Sequence, residues 1–294
     1  MSLQDYKKAG SIAAESLNFG KKLIKEGVLL NDVTKKIEEK IRQLGGEPAF
    51  PAQISLNNAA AHCYYNFNAK DKFKAGDIVK LDVGAHVNGF IGDNACTINL
   101  GKDKDLELIR ASKDALREAV SLMRPGVQLR EVGKAVEEVT VGYGFNPIRN
   151  LSGHEVERFN LHAGLTIPNY DNEDDKELEE GQVFAIEPFA TTGVGKVSEG
   201  KLSGIYKIVD MRNVRSGREV LNFILENYKT LPFSIDWMRE KFTDFNLRFA
   251  FRILDKEGVL HNYPQLVEAE NEKVSQAEHT VMVADKPIIF TKGE

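Results

Sequence analysis

Two apolar runs in this 294-residue chain each carry a carboxylate where a buried strand would end. They are Asp82 in GDIVKLDVGAHVNGF (76–90) and Glu187 in GQVFAIEPFA (181–190). A charge in such a place is costly unless a counter-charge or a metal ion meets it. The dipeptide Asn88-Gly89 is a strong two-residue hairpin signal, because both positions tolerate positive φ. With that turn Val87 faces Phe90, Gly84 faces Asp93 and Asp82 faces Ala95. Side-chain alternation then puts Asp82 and Asp93 on one face, diagonal neighbours with backbones about 7–8 Å apart. Bare, the two would repel each other; together they can converge on a cation. Glu187 needs an equivalent partner, and the run 278–283 (EHTVMV) supplies Glu278. Four carboxylates balance two divalent cations, and a neutral imidazole adds a further donor. The candidate histidines are His154 in LSGHEV, His162 in NLHAG and His62 in SLNNAAAH. Oxygen and nitrogen donors without thiolate suit Mn, Fe(II), Co or Zn with open positions. Two such ions about 3.5–4 Å apart generate hydroxide at neutral pH and clamp an oxyanion, as in aminopeptidases and phosphatases.

Taken singly, each of these residues reads as a cap or an ordinary hydrogen-bonded side chain. What changes that reading is an internal repeat. Shifting 27–48 by 99 positions onto 126–147 matches nine of 22 residues without a gap, among them Gly27 with Gly126, Glu38 with Glu137 and Pro48 with Pro147. Both copies end in glycine, a helix stop, and Asn31 is the expected N-cap of the first. Each copy follows a longer helical stretch, over 4–26 and 105–123. Each half is therefore helix, turn, helix and then strands that bring a carboxylate. Ten residues separate Asp82 from Asp93, but ninety separate Glu187 from Glu278. The surplus tract has helical stretches at 219–228 and 234–242, the only tryptophan, Trp237, and an acidic run at 268–272. It reads mostly as an inserted helical subdomain, with no Gly/Ser/Pro linker to separate independent domains.

The formal charge of −5 gives no hint of a broad basic surface for nucleic acid or anionic lipid. Cys63 and Cys96 form neither a disulfide framework nor a metal pair, which fits two buried thiols in a reducing compartment. No apolar run approaches the roughly 18 residues of a membrane span. The stretch after Lys7 and Lys8 is broken by Glu15 and Asn18 and lacks a signal-peptide core. The expectation is a cytoplasmic chain without membrane or nucleic-acid partners.

The strings SLNNAAAH, KLDVGAH, IGDNACT, LSGHEV, AIEPFATTG and AEHTVMV resemble those of the methionine aminopeptidases. The order Asp82, Asp93, His154, Glu187, Glu278 is that of the wider pita-bread metallopeptidases, which include aminopeptidase P and prolidase. The long tract before Glu278 is similar to the insertion of the type 2 enzymes, and the short N-terminus to their archaeal form. The resemblance covers nearly the whole chain. It implies an α+β pita-bread fold, two pseudo-symmetric halves around a central antiparallel sheet, in one catalytic domain over 1–294. A helical, winged-helix-like subdomain would be inserted at 200–265. Asp82 would chelate one metal, His154 and Glu187 the other, with Asp93 and Glu278 bridging both. A hydroxide bridging the metals would attack the bond after an N-terminal methionine, with Glu187 carrying the proton to the leaving amine. His162 would hydrogen-bond the developing oxyanion, and His62 would contact the scissile amide or leaving group. Phe50, Leu161 and Tyr263 match positions lining the methionine pocket; core packing is the other reading of these three. The implied cofactors are two divalent ions (Co, Mn, Fe(II) or Zn) per subunit. The implied partners are nascent polypeptide N-termini, with the ribosome an open question, and the subunit is expected to be a monomer.

One stretch departs from the resemblance: CYYNFN follows His62 where type 2 enzymes have a short Tyr/Thr/Pro segment, which puts tolerance of the second substrate residue in question. His86, His261 and His279 receive no role, and alternation points His279 away from the face of Glu278. Prolidase and aminopeptidase P usually carry an extra N-terminal domain, and the insertion is misplaced for them. A non-catalytic relative binding partners or RNA would have lost ligands that are all present here. A two-metal phosphatase or nuclease would want more histidines and a phosphate clamp, and no P-loop occurs.

Overall fold

A computed structural model describes residues 2–101, 103–211, 214 and 216–293. The first half opens with α1 (Leu3–Leu23) and α2 (Leu30–Gln43). Val33, Ile37 and Ile41 recur at helical spacing on α2 and are buried against the sheet. Asn31 is not the cap of α2: Leu29 holds that position, and Asn31 Nδ2 donates to the carbonyls of Asn66 and Phe67. The reason is that Leu30 N already bonds Asp71 O, so chain neighbours in space satisfy the helix start. Next come β1 (Glu47–Pro48), β2 (Gln53–Leu56) and β3 (Ala59–Ala61), then the hairpin β4 (Ile78–Val87) and β5 (Phe90–Asn99).

The second half repeats the plan with α3 (Leu106–Ser121), α4 (Leu129–Gly142), β6 (Asn146–Pro147), β7 (Ser152–Glu157), β8 (Asn160–Pro168), β9 (Val183–Ile186) and β10 (Phe189–Thr191). The repeat is visible in the pairing. Pro48 pairs with Ala85, three residues past Asp82, and Pro147 pairs with Ala190, three past Glu187. Gly27 N donates to Phe73 O, and its counterpart Gly126 N donates to Leu178 O, both at 2.8 Å. An isolated bridge Leu29–Lys72 is matched by Gln128–Glu177. Two apolar cores, one per half, lie between the helices and the strands.

The tract that follows is mixed rather than helical. It holds β11 (Ser198–Ile208), α5 (Arg218–Asn227), β12 (Phe233–Ser234), α6 (Asp244–Lys256) and β13 (Leu260–Val267). The stretch at 219–228 is the helix α5, as expected, but 234–242 is not a helix. Ser234 caps only a 3₁₀ turn, Ile235–Met238, and a second cap, Thr243, starts α6 afresh. Leu247, Ala250, Phe251 and Leu254 of α6 join Ile224 and Phe233 in a core of their own. Positions 212, 213 and 215 of the tract lie outside the described residues. The chain ends with β14 (Val274–Gln276), β15 (His279–Met282) and β16 (Ile288–Ile289).

Every strand pair is antiparallel, and the orders are β1-β4-β2 with β5 on β4, β14-β10-β6, β12-β11-β13-β3 and β16-β15-β9-β7-β8. The halves are joined where β5 meets the last strands: Glu278 N donates to Ala95 O, and Thr97 Oγ1 exchanges hydrogen bonds with the backbone of Gln276. No helix among the described residues is long and apolar enough to cross a membrane.

Candidate metal centre

The hairpin has the register that Asn88-Gly89 dictates: Val87 pairs with Phe90, Gly84 with Asp93 and Asp82 with Ala95. Asp82 and Asp93 are thus diagonal neighbours on one face. The second pair differs. His279 pairs with Ile186 and Phe189 with Gln276 in one continuous register, which sets Glu278 directly opposite Glu187 at the gap between the two ladders. His154 enters from β7, whose ladder pairs it with Ala185 of β9.

All five side chains line one cavity. One ligating atom each of Asp93, His154 and Glu278 lie within 4.8 Å of one another. His154 Nε2 stands 3.9 Å from Asp93 Oδ2 and 3.7 Å from Glu187 Oε1. Glu187 Oε2 accepts from Gln276 Nε2 at 3.2 Å. His62, His162, Phe50, Leu161 and Tyr263 line the same cavity, so the structure gathers every expected site residue there.

Burial raises the Asp82 carboxyl to about 7. Asp93 and Glu278 are pushed well above the carboxylate range by burial first and by neighbouring carboxylates second, and Glu187 by burial and then Asp82. Among the described residues no lysine or arginine is ion-paired with any of the four. Asp82 Oδ1, Asp93 Oδ1 and Glu278 Oε2 are buried without a hydrogen-bond partner. Orphaned buried carboxylate oxygens around an imidazole that burial holds neutral, down at about 4, make a donor set suited to a metal ion. The residues fit divalent cations.

His62 lines the cavity with φ +60, in the left-handed region. Gln53 Oε1 accepts its backbone N–H at 2.7 Å, and its Nδ1 lies 3.1 Å from Pro264 O. The latter bond places the ring proton on Nδ1 and leaves Nε2 an acceptor. His162 packs edge-on against His154, with ring centroids 4.4 Å apart. The residue keeps some exposure to solvent, but burial of the imidazole, and then its neighbours His154 and His62, hold it well below its ordinary range. His279 is turned onto Thr291 Oγ1, and His261 packs edge-on against Tyr263 outside the carboxylate cluster. Cys63 is buried and Cys96 half-buried, both free thiols.

Five contributors went unread in the sequence: Gln53, Ala61, Gln276, Ile205 and Pro232. Gln276 lies two residues before Glu278 on the same run, so strand alternation carried its signal. Gln53 arrives through its pairing with Asp82 and Ala61 beside His62, while Ile205 and Pro232 reach the cavity through long-range packing.

The profile of metallopeptidase family M24 matches residues 4–221. The chain belongs to this family, and with it to the metal-dependent hydrolases. It is 45% identical over 286 residues to a methionine aminopeptidase of Pyrococcus horikoshii, covering 96% of this chain and 97% of that one. It is 46% identical over 279 residues to a methionine aminopeptidase of Archaeoglobus fulgidus, covering 94% of each. The crystal structure of methionine aminopeptidase from Thermotoga maritima superposes with a TM-score of 0.72 at 25% identity, covering 99% of this chain and 98% of that one. The architecture is the pita-bread fold.

Proposed function

We propose that this chain removes the amino-terminal methionine from new polypeptides, preferring a small second residue, with two divalent ions held by Asp82, Asp93, His154, Glu187 and Glu278. One observation carries the reading: four carboxylates from both halves, Asp93 and Glu278 buried and Asp82 and Glu187 half-buried, converge beside an apolar recess with no lysine or arginine ion pair among the described residues. The donor set supports Asp82 on one ion, His154 and Glu187 on the other, and Asp93 and Glu278 shared. When bound, such a pair supplies a water-derived nucleophile near neutral pH and polarises the scissile carbonyl.

The remaining work falls to side chains. Phe50, Leu161 and Tyr263 receive the methionine side chain, with Ile205 and Pro232 completing the recess. Glu187, its Oε2 steadied by Gln276, takes a proton at Oε1 and passes it to the leaving amine. His162 donates to the carbonyl oxygen as charge develops there. His62, with Nδ1 committed to Pro264, offers Nε2 to an N–H of the scissile amide or leaving group. The 200–265 tract, with its own core, acts as a subdomain inserted into the catalytic domain. A monomer working in the cytoplasm on chains leaving the ribosome completes the reading.

The test is hydrolysis of Met-Ala-Ser against Lys-Ala-Ser and Ala-Pro peptides, with Mn, Co, Fe(II) or Zn returned to chelated protein. Metal-dependent cleavage of the methionyl peptide alone is expected. Cleavage of the prolyl substrate instead moves the chain to the prolidase side.

A further inference from the structure

Glu38 and Glu137 occupy matching places in the two repeats but meet different fates. Glu137 lies toward the surface, where its Oε1 pairs with Arg149. Glu38 is 6% exposed and has no cation in ion-pair contact among the described residues. Instead its carboxylate accepts two N–H donors: Ala52 N on Oε1 at 3.2 Å and Trp237 Nε1 on Oε2 at 2.7 Å. Neither donor lines the recess itself, but each lies close along the chain to a residue that does. Ala52 follows Phe50, and Gln53 after it holds the backbone of His62. Trp237 belongs to the inserted tract, five residues after Pro232.

From this juxtaposition, and resting on the reading of the recess as a methionine pocket, we propose that Glu38 is a positioning residue that sets the pocket's width. Its carboxylate ties the Phe50 wall to the Pro232 wall through Trp237. The chemistry demands a carboxylate. Both partners are donors, and an ionised carboxylate offers an acceptor to each, whereas a glutamine amide has one acceptor oxygen and turns an N–H toward the other donor. Asp236 secures the same 3₁₀ turn by accepting from Tyr64 Oη and Phe67 N, both at 3.0 Å. Loss of the Glu38 bond therefore loosens the wall without releasing the inserted tract.

Burial raises Glu38 to about 7, against the pull of the Trp237 bond and of Arg42. The carboxylate form prevails above that pH, and the tie weakens below it. The other titratable groups around it are Arg42 on its own helix, paired with Glu47, and Asp236, paired with Arg239. Tyr64 also faces it and is raised well above its ordinary value; Tyr228 is pushed to about 12, and His86, which lines a surface groove together with Glu38 and Trp237, is held at about 4.

The experiment compares Glu38→Gln and Trp237→Phe with the metal-loaded wild type on Met-Ala-Ser and on its norleucyl and alanyl analogues. We expect KM for the methionyl peptide to rise about tenfold in each variant, the scale of one lost hydrogen bond to a charged group. Turnover should stay within about twofold, the pattern of lost substrate binding. The preference over the analogues should shrink. Trp237 is the only tryptophan, so its fluorescence reports the tie directly. A transition near pH 7 is expected in the wild type and should vanish in Glu38→Gln. Wild-type KM in both variants, or the same fluorescence titration in Glu38→Gln, overturns the proposal. A wild type that cuts no methionyl peptide overturns the functional reading instead, and the fluorescence titration separates that outcome from failure of the tie.

Discussion

Asp93 and Thr280 are locked by a reciprocal pair of hydrogen bonds: Asp93 N donates to Thr280 Oγ1 at 2.7 Å, and that hydroxyl donates to Asp93 O at 2.8 Å. One residue lies in each half, 187 positions apart, and both are buried. The bond therefore fixes β5 against β15 at the carboxylate cluster. Thr280→Val keeps the shape and removes both interactions, stranding a buried N–H and a buried carbonyl. The expected loss is about 2–4 kcal/mol of unfolding free energy, read from urea denaturation. Thr280→Ser should recover most of it.

Metal removal exposes the electrostatic cost of the cluster. The folded carboxyls titrate above their unfolded values; Asp82 moves from 3.8 to about 7, and its three neighbours are raised as well. A raised carboxyl binds its proton more tightly in the native state. Its contribution is fully present below the unfolded pKa and is lost as pH climbs through the folded one. Chelated protein should therefore lose stability from about pH 4 to pH 7 and beyond. Added Mn or Co at pH 8 should restore it. A urea midpoint flat with pH in the chelated protein would contradict this account.

Asp93 and Asp82 are expected to differ as ligands. Asp93 sits within reach of both His154 and Glu278, whereas Asp82 stands diagonally across the hairpin. Asp93→Asn should weaken both ions by more than the roughly 10–100-fold that loss of an outer partner costs. Asp82→Asn should spare one of them. Titration calorimetry counts the sites, and two intact sites in Asp93→Asn would remove it from the shared position.

How much of this was legible follows from how local each cause is. The Asn88-Gly89 turn fixes the register of Asp82 and Asp93 within a dozen residues, and the structure repeats that register pair for pair. The repeat matches Pro48 with Pro147, and the structure sets the two at equivalent strand positions. Glu278 could be found as a partner for Glu187, but not its place directly opposite, because ninety residues intervene. The helix α6 was missed although Leu247, Ala250, Phe251 and Leu254 keep helical spacing behind the Thr243 cap. Asn31 looked like a cap only because Asp71 O, the group that meets Leu30 N, is remote in sequence. Glu38 stood out only as a repeat identity with Glu137; nothing in the sequence marked its burial, since both of its partners come from other elements.

The pocket wall can be challenged from the strand beneath it. A Cβ at Gly84 would lie 2.2 Å from Phe50 Cε1. The backbone there cannot retreat, because Gly84 pairs with Asp93 and its carbonyl accepts from Ala49 N at 3.0 Å. Gly84→Ala must therefore swing the buried Phe50 ring out of place, at about 1–3 kcal/mol of stability for an overpacked core. If Phe50 contacts the methionine side chain, KM for methionyl peptides rises in the same variant. Phe50→Leu on that background vacates the contested space and should return part of the stability. An unchanged KM in Gly84→Ala, with the expected loss of stability, would assign Phe50 to the core and leave the pocket to Leu161 and Tyr263.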